Sequence, residues 1–125
     1  MRLKYRVTKN RDCASGTSLV GFVRASVSTL IEHFGAPEYI NEESPANWIV
    51  EFKDGTIATI YIHKPVEFGL GPSSVPIHDY RWHVGGTSDA AIRYVAHVLG
   101  VQPLLWGELD TDEELTEWIR EYMNM

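Results

Sequence analysis

One short stretch of the sequence, Tyr80–Asp89, holds the residue types best suited to binding an anionic ligand. Its alternation predicts a strand, Ile77–Val84, which stops at Gly85 and Gly86 and opens directly into a helix. Backbone N–H groups at the start of a helix attract anions, and glycines let a ligand approach the backbone closely. The sequence therefore predicts a phosphate or carboxylate site at this strand–helix turn.

The side chains near the turn fit the same chemistry. Arg81, His83 and Lys64 would add positive charge. The hydroxyls of Thr87 and Ser88 would donate hydrogen bonds. The structural alternative is that the glycines only permit a sharp turn and that Thr87 or Ser88 caps the helix. The stretch lacks the third glycine of a dinucleotide fingerprint, and no Gly-Lys-Ser/Thr of a Walker P-loop follows it.

Aromatic residues near the turn would suit a base or nucleotide that binds by stacking. They are Trp48, Tyr61, Phe68, Tyr80 and Trp82. The alternative is that these rings fill the hydrophobic core. The strand–helix turn and the residues near it together form the predicted ligand-binding site. Its residues are Tyr61, Lys64, Arg81, Trp82, His83, Gly85, Gly86, Thr87 and Ser88.

Residues for catalysis or metal binding form no recognisable constellation in the sequence. His78, Asp79 and His83 are close together, but on a strand His78 points away from the other two. A metal site needs three or four converging ligands. The sequence also lacks the Gly-x-Ser-x-Gly motif of a nucleophilic serine. We therefore predict no catalytic residue, no metal and no cofactor, and favour a binding protein over an enzyme.

Alternating and helical patterns predict the elements that position these residues. The predicted strands are Arg2–Lys9, Thr17–Ala25, Asn47–Lys53, Thr56–His63 and Ile77–Val84. The second is expected to return beside the first. Asp54-Gly55 predicts a two-residue hairpin turn, and apolar residues on both faces of the strand after it predict a central strand.

Three helices are predicted from apolar spacing and end signals. One runs from Ser26 to Phe34, one from the glycine turn to Gly100, and one covers residues 111–123. With hairpin links between strands, this order indicates an α+β fold: an antiparallel sheet of about five strands with three helices on one face. We expect residues 1–125 to form a single domain, with the acidic helix 111–123 as an extension.

Composition and charge limit the partners. A single cysteine fits a reducing cytoplasm, and no apolar run is long enough for a membrane span. The net charge of -6 argues against nucleic acid as a partner. The charge is polarised, because the first eleven residues hold five basic and no acidic residues while 108–125 hold seven acidic residues and one basic. This polarity would support head-to-tail contact in a homo-oligomer, the alternative being a solvated helix and a basic edge strand.

Three segments share a pattern that goes beyond single motifs. They are Ser15–Gly21, the hairpin residues Trp48–Tyr61, and Trp82–Gly86, with Lys64 and a glycine-containing loop between the last two. In this combination, over about residues 15–100, the sequence resembles a group of small bacteriophage proteins. The resemblance implies a phage origin, and hence a role in host modulation or counter-defence inside the host cell.

Three functions remain open at this point. The first is an accessory binding protein that sequesters a small anionic, nucleotide-type signal at the Trp82–Ser88 turn. The second is a protein-binding inhibitor of a host or defence protein. The third, less favoured, is a nucleotide-processing enzyme.

Overall fold

The computed structural model describes residues 3–40, 45–62 and 80–105. In chain order, the elements are β1 (Tyr5–Thr8), a 3-10 helix (Arg11–Ala14), β2 (Ser18–Ala25), α1 (Val27–Phe34), β3 (Asn47–Phe52), β4 (Ile57–Tyr61), β5 (Tyr80–Gly86), α2 (Ala90–Leu99) and β6 (Leu104–Leu105). None of the helices within these ranges is long and apolar enough to cross a membrane.

The strands form one antiparallel sheet in the order β1-β3-β4-β5-β2-β6. The predicted α+β class is confirmed, although the described residues form a sheet of six strands where about five were predicted. β6 was not predicted, because two residues are too few to show an alternating pattern. The described ranges contain two α-helices, and the third predicted helix, 111–123, lies outside them.

One predicted pairing is wrong. β2 does not return beside β1, because β1 pairs with β3 at one edge while β2 lies between β5 and β6. The central position predicted for β4 is confirmed, since it is hydrogen-bonded on both sides.

The register divides the sheet into two faces. On the helix face, Trp82 and Val84 of β5 align with Ile60 of β4 and with Val23 of β2, and all four side chains are buried. Both helices pack over this face. α2 supplies most of the apolar cover, and its buried residues are Ala91, Ile92, Val95, Ala96 and Leu99.

Successive residues of a strand point to opposite faces, so Arg81, His83 and Gly85 lie on the second face. We call this second face the cavity face.

The helix predicted from Ser26 to Phe34 is confirmed as α1. Ser26 is its N-cap, and its hydroxyl accepts a hydrogen bond from the backbone N–H of Thr29 at 3.2 Å. Two hydrogen bonds from aromatic side chains of the sheet hold the C-terminal end of α1 in place. Trp48 Nε1 donates to the carbonyl of Gly35 at 2.8 Å, and the Tyr5 hydroxyl donates to that of His33 at 2.9 Å.

The turn between β3 and β4 lies where Asp54-Gly55 predicts it, but it is one residue longer. The N–H of Gly55 donates to the carbonyl of Phe52, and the N–H of Phe52 donates to the carbonyl of Thr56, both at 2.9 Å. Three residues therefore form the loop, and Gly55 takes the left-handed conformation with φ 91°. Asp54 stabilises the turn by accepting a hydrogen bond from the N–H of Thr56 at 2.9 Å.

The same aspartate joins the turn to α2. The Tyr94 hydroxyl donates to Asp54 Oδ2 at 2.5 Å, while the Tyr94 ring packs edge-on against Phe52 at 5.0 Å. The hydrogen bond from Tyr94, followed by that from Thr56, lowers the pKa of Asp54. The hydrogen bond to Asp54 in turn raises the pKa of Tyr94.

This contact makes part of the stability depend on pH. A carboxyl whose pKa is lower in the folded state stabilises the fold above its unfolded pKa of about 4, and this contribution is lost as the pH falls through the folded pKa. We expect Tyr94→Phe to be less stable than the parent at pH 7 and to approach it in acid, since the ring still packs against Phe52. Urea unfolding of both proteins from pH 7 to pH 3 measures this. A stability difference that stays constant over the range would contradict it.

Candidate functional site

The predicted anion site at the glycine turn has a different structure from the one expected. β5 does not stop at the glycines but runs through Gly86, and α2 begins only at Ala90. Thr87 binds its neighbouring strand instead of facing a ligand: its Oγ1 accepts from the N–H of Ile57, and its own N–H donates to the carbonyl of Ile57, both at 3.2 Å. The predicted cap is wrong, because the N-cap of α2 is Asp89, which makes no side-chain capping hydrogen bond. The Ser88 hydroxyl accepts from the N–H of Ala90 at 3.3 Å.

Close packing of α2 on β5 explains why residue 86 is a glycine. A Cβ at Gly86 would collide with the Cβ of Ala91, so the missing side chain lets α2 lie directly on β5. Gly86 therefore faces the core and leaves no room for a ligand on that side.

The large aromatic rings also differ from the prediction of a stacking pocket. Trp82 is 0% exposed on the helix face, with Trp48 packed edge-on at 5.4 Å and Tyr80 at 5.6 Å. Its Nε1 donates to the carbonyl of Ala25 at 2.9 Å. Trp82 is a core residue with its polar atom satisfied, so it is not available to a ligand. The predicted site residue Lys64, and Phe68, lie outside the described residues.

Tyr61 and Gly85 do come together, at a cavity on the cavity face, the side of the sheet opposite the two helices. Its volume is about 390 Å³. The lining residues come from the start of β2, the start of β3, and β4 and β5. They are Thr17, Ser18, Leu19, Asn47, Thr59, Tyr61 and Gly85.

The strand register explains why a depression forms there. Thr59, Gly85 and Leu19 are cross-strand partners in one row of the cavity face. A register shift between Leu19 and Gly21 turns Leu19 towards this face, as a β-bulge does. Gly85 has no side chain, and a Cβ there would stand 2.5 Å from Thr59 Oγ1. The missing side chain therefore makes room for the hydroxyl of Thr59, and both residues line the cavity.

The neighbouring row of the cavity face is largely aromatic. Asn47, Tyr61, His83 and Phe22 follow each other across β3, β4, β5 and β2. The Tyr61 and His83 rings are stacked at 5.3 Å with an interplanar angle of 25°, and Phe22 meets His83 edge-on at 5.1 Å. Burial raises the pKa of Tyr61. This row forms a rigid wall with Tyr61 and Asn47 at the cavity.

Positive charge lies further along the same face. Arg81 and Arg24 are directly opposite each other on β5 and β2, one row beyond His83 and Phe22. Arg81 is four residues from Gly85, which is about 13 Å along a strand. No charged residue within the described ranges lines the cavity itself. The face thus combines a neutral polar cavity with two arginines at a distance.

Asn47, Thr59 and the Thr17–Leu19 segment were not among the predicted site residues. A signal for two of them was present, because the alternation around Asp54-Gly55 places Asn47, Thr59 and Tyr61 on one face of the hairpin. No local signal marks Thr17–Leu19, which reaches the cavity only through the pairing of β2 with β5.

Metal binding finds no support in the structure, since no three of the His, Cys, Asp and Glu side chains in the described parts of the chain converge on one point. Comparison with protein-family models, with curated proteins and with solved structures finds no match to this chain.

Proposed function

We propose that this protein is a non-catalytic phage accessory protein that binds a small nucleotide-type ligand on the cavity face of its sheet. Its role is to sequester such a signal in the host cell, as a host-modulating or counter-defence protein. The observation that carries the proposal is the cavity between β2, β4 and β5, beside a stacked aromatic row and on the same face as two arginines.

The volume of the cavity and the residues that line it suit a planar polar ring. Ligand sites in proteins occupy about 300–1,000 Å³, so a cavity of about 390 Å³ suits one ring system and not a whole dinucleotide. Its lining offers three hydroxyl side chains, an amide, a phenol and one aliphatic wall. These groups can orient a neutral heteroaromatic ring, whereas a charged group placed among them would lose its hydration without an ionic partner.

The arginines suit the anionic part of the same ligand. Arg24 and Arg81 are cross-strand partners, so they place two positive charges on neighbouring strands of the cavity face. Guanidinium groups bind phosphate in a bidentate manner. A nucleotide therefore satisfies both features, with its base in the cavity and its phosphate towards the arginines.

A ligand screen with paired variants tests the proposal. We expect one or more nucleotides or cyclic dinucleotides to raise the melting temperature and to bind in calorimetry. Gly85→Ala introduces a methyl group 2.5 Å from Thr59 Oγ1 and should weaken binding by about tenfold or more. Thr59→Val keeps the shape and removes only the hydroxyl, so it should weaken binding without a steric change.

Ser88→Ala is the matched control, because Ser88 lies at the start of α2 and does not line the cavity. It should bind as the parent does. Loss of affinity in Ser88→Ala with normal affinity in Gly85→Ala would place the ligand at the turn and overturn the assignment. No stabilising ligand in the whole screen would overturn the proposed function.

The edge of the sheet favours one other function, a protein-binding inhibitor. β1 is the outer strand, no strand among the described residues pairs with its far side, and Val7 is 39% exposed there. An open edge strand can accept an extended peptide from a partner. Capture of one host protein by the parent, lost in Val7→Lys, would favour this function.

A further inference from the structure

We propose that this protein associates head to tail, with the outer edge of β1 in one copy docked on the outer edge of β6 in a second copy of the same chain. The acidic residues of 108–125 in the second copy then neutralise basic residues beside β1. This contact is separate from the cavity, because no residue of β1 or β6 lines it.

The outer edge of β1 presents backbone groups that can bind another strand. The N–H of Lys53 donates to the carbonyl of Lys4 at 3.0 Å, so these two residues form a hydrogen-bonded pair across β1 and β3. Hydrogen-bonded and non-hydrogen-bonded pairs alternate along an antiparallel ladder. Tyr5 and Val7 therefore direct their N–H and carbonyl groups away from β3. No strand within the described ranges pairs with this side of β1, so the edge is open to an additional strand.

The direction of the strands makes β6 a suitable partner for this edge. Every pairing along the six-stranded sheet is antiparallel, so β1 and β6 run in opposite directions at opposite edges. A second copy displaced sideways, across the strands, places its β6 antiparallel to β1 and keeps its helices on the same face. β6 has only two residues, Leu104 and Leu105, so its backbone offers few hydrogen bonds and the contact needs a further attraction.

Opposite charges supply that attraction. Five of the first eleven residues are basic and none is acidic. Arg6 and Arg11 pair with glutamates of the same chain, whereas Lys4 and Lys9 are exposed and form no ion pair within the described ranges. Two β1 strands placed side by side would bring these basic residues together, which is unfavourable. The edge of β1 therefore favours an acidic partner over a second β1.

The acidic residues follow β6, at the opposite edge of the sheet. Glu108, the first of seven acidic residues in 108–125, comes three residues after Leu105. Three residues span at most about 10 Å, whereas β1 of the same chain is five strand spacings, about 24 Å, across the sheet. The acidic stretch therefore begins close to the edge on which the β1 of another copy would dock. A contact between two different edges is heterologous, so it repeats from copy to copy as a ring or an open row.

Sedimentation of the full chain over a range of concentrations tests the contact. We expect association to increase with concentration and to weaken when NaCl is raised from about 50 mM to about 500 mM. Val7→Pro removes an outward N–H and leaves the hydrogen bonds to β3 in place, so it should weaken association by about tenfold or more. Val7→Ala is the matched control, because it shortens the side chain and keeps the N–H. It should associate as the parent does.

A mixing experiment tests the head-to-tail arrangement. The double variant Lys4→Glu/Lys9→Glu has an acidic edge and a native acidic segment, whereas Glu113→Lys/Glu114→Lys has a native edge and a much less acidic segment. Each should associate weakly alone, because every contact it could make includes one altered side. Mixed in equal amounts, they can form one native contact per pair. We therefore expect a 1:1 dimer and nothing larger.

Each outcome supports or overturns the proposal. A parent that stays monomeric at every concentration would overturn it and leave the β1 edge to a partner protein. Association that Val7→Pro leaves unchanged would place the contact on another surface. If Val7→Pro does not fold, as circular dichroism would show, the mixture decides: a mixture that stays monomeric excludes the head-to-tail contact, and a 1:1 dimer supports it.

Discussion

Trp82→Ala should lower the free energy of unfolding by about 3–5 kcal/mol. The side chain is fully buried in the centre of the helix face, where Trp48 and Tyr80 pack edge-on against it. Removing the ring leaves a large cavity under both helices and also leaves the carbonyl of Ala25 without its donor, Trp82 Nε1. Urea unfolding followed by circular dichroism measures the change.

Trp82→Phe is the informative control for this prediction. It keeps most of the apolar volume and loses the indole N–H, so it should cost clearly less than Trp82→Ala. If Trp82→Ala instead kept the stability of the parent and weakened nucleotide binding, the indole would belong to a ligand site and the assignment to the core would be wrong.

Gly86→Ala should also be strongly destabilising, by about 3 kcal/mol, at the upper end of what overpacking usually costs. The added methyl group would overlap the Cβ of Ala91 and come within 3.1 Å of the carbonyl oxygen of Ser88. α2 must therefore move away from β5, which separates the apolar face of the helix from the sheet. The measurement is again the urea midpoint, with ligand affinity determined separately on the folded fraction.

A second substitution can show that the Ala91 contact is responsible. Ala91→Gly alone should cost about 1 kcal/mol through its lower helix propensity. Combined with Gly86→Ala it removes the overlap, so the double variant should be more stable than Gly86→Ala alone. Additive losses from the two substitutions would show that Gly86 is needed for another reason.

These variants also distinguish the two neighbouring glycines. Gly85 and Gly86 are consecutive in β5, so their missing side chains point to opposite faces of the sheet. A Cβ at Gly86 would collide with α2, whereas a Cβ at Gly85 would collide with the hydroxyl of Thr59, which lines the cavity. We therefore expect Gly85→Ala to act mainly on ligand affinity and Gly86→Ala mainly on stability.

The sequence by itself determined the elements whose signals are local. The apolar spacing of α1 with Ser26 as its cap, the turn residues Asp54-Gly55, and the alternation of β3 and β4 all predict what the structure contains. Each of these signals depends on residues only a few positions apart, so it can be recognised without the rest of the fold. The α+β class follows from their order.

Only the tertiary structure decided which face each of these residues uses. The sequence placed Trp82, His83, Gly85 and Gly86 in one turn, but strand geometry sends Trp82 and Gly86 into the core and leaves His83 and Gly85 on the cavity face. Strand order was likewise undetermined, because β2 pairs with β5, which lies more than fifty residues away. Pairing at such separation depends on the burial of the whole sheet under α1 and α2 and not on any local pattern. The candidate site exists for that reason alone: the long-range pairing brings Thr17–Leu19 beside the missing side chain of Gly85.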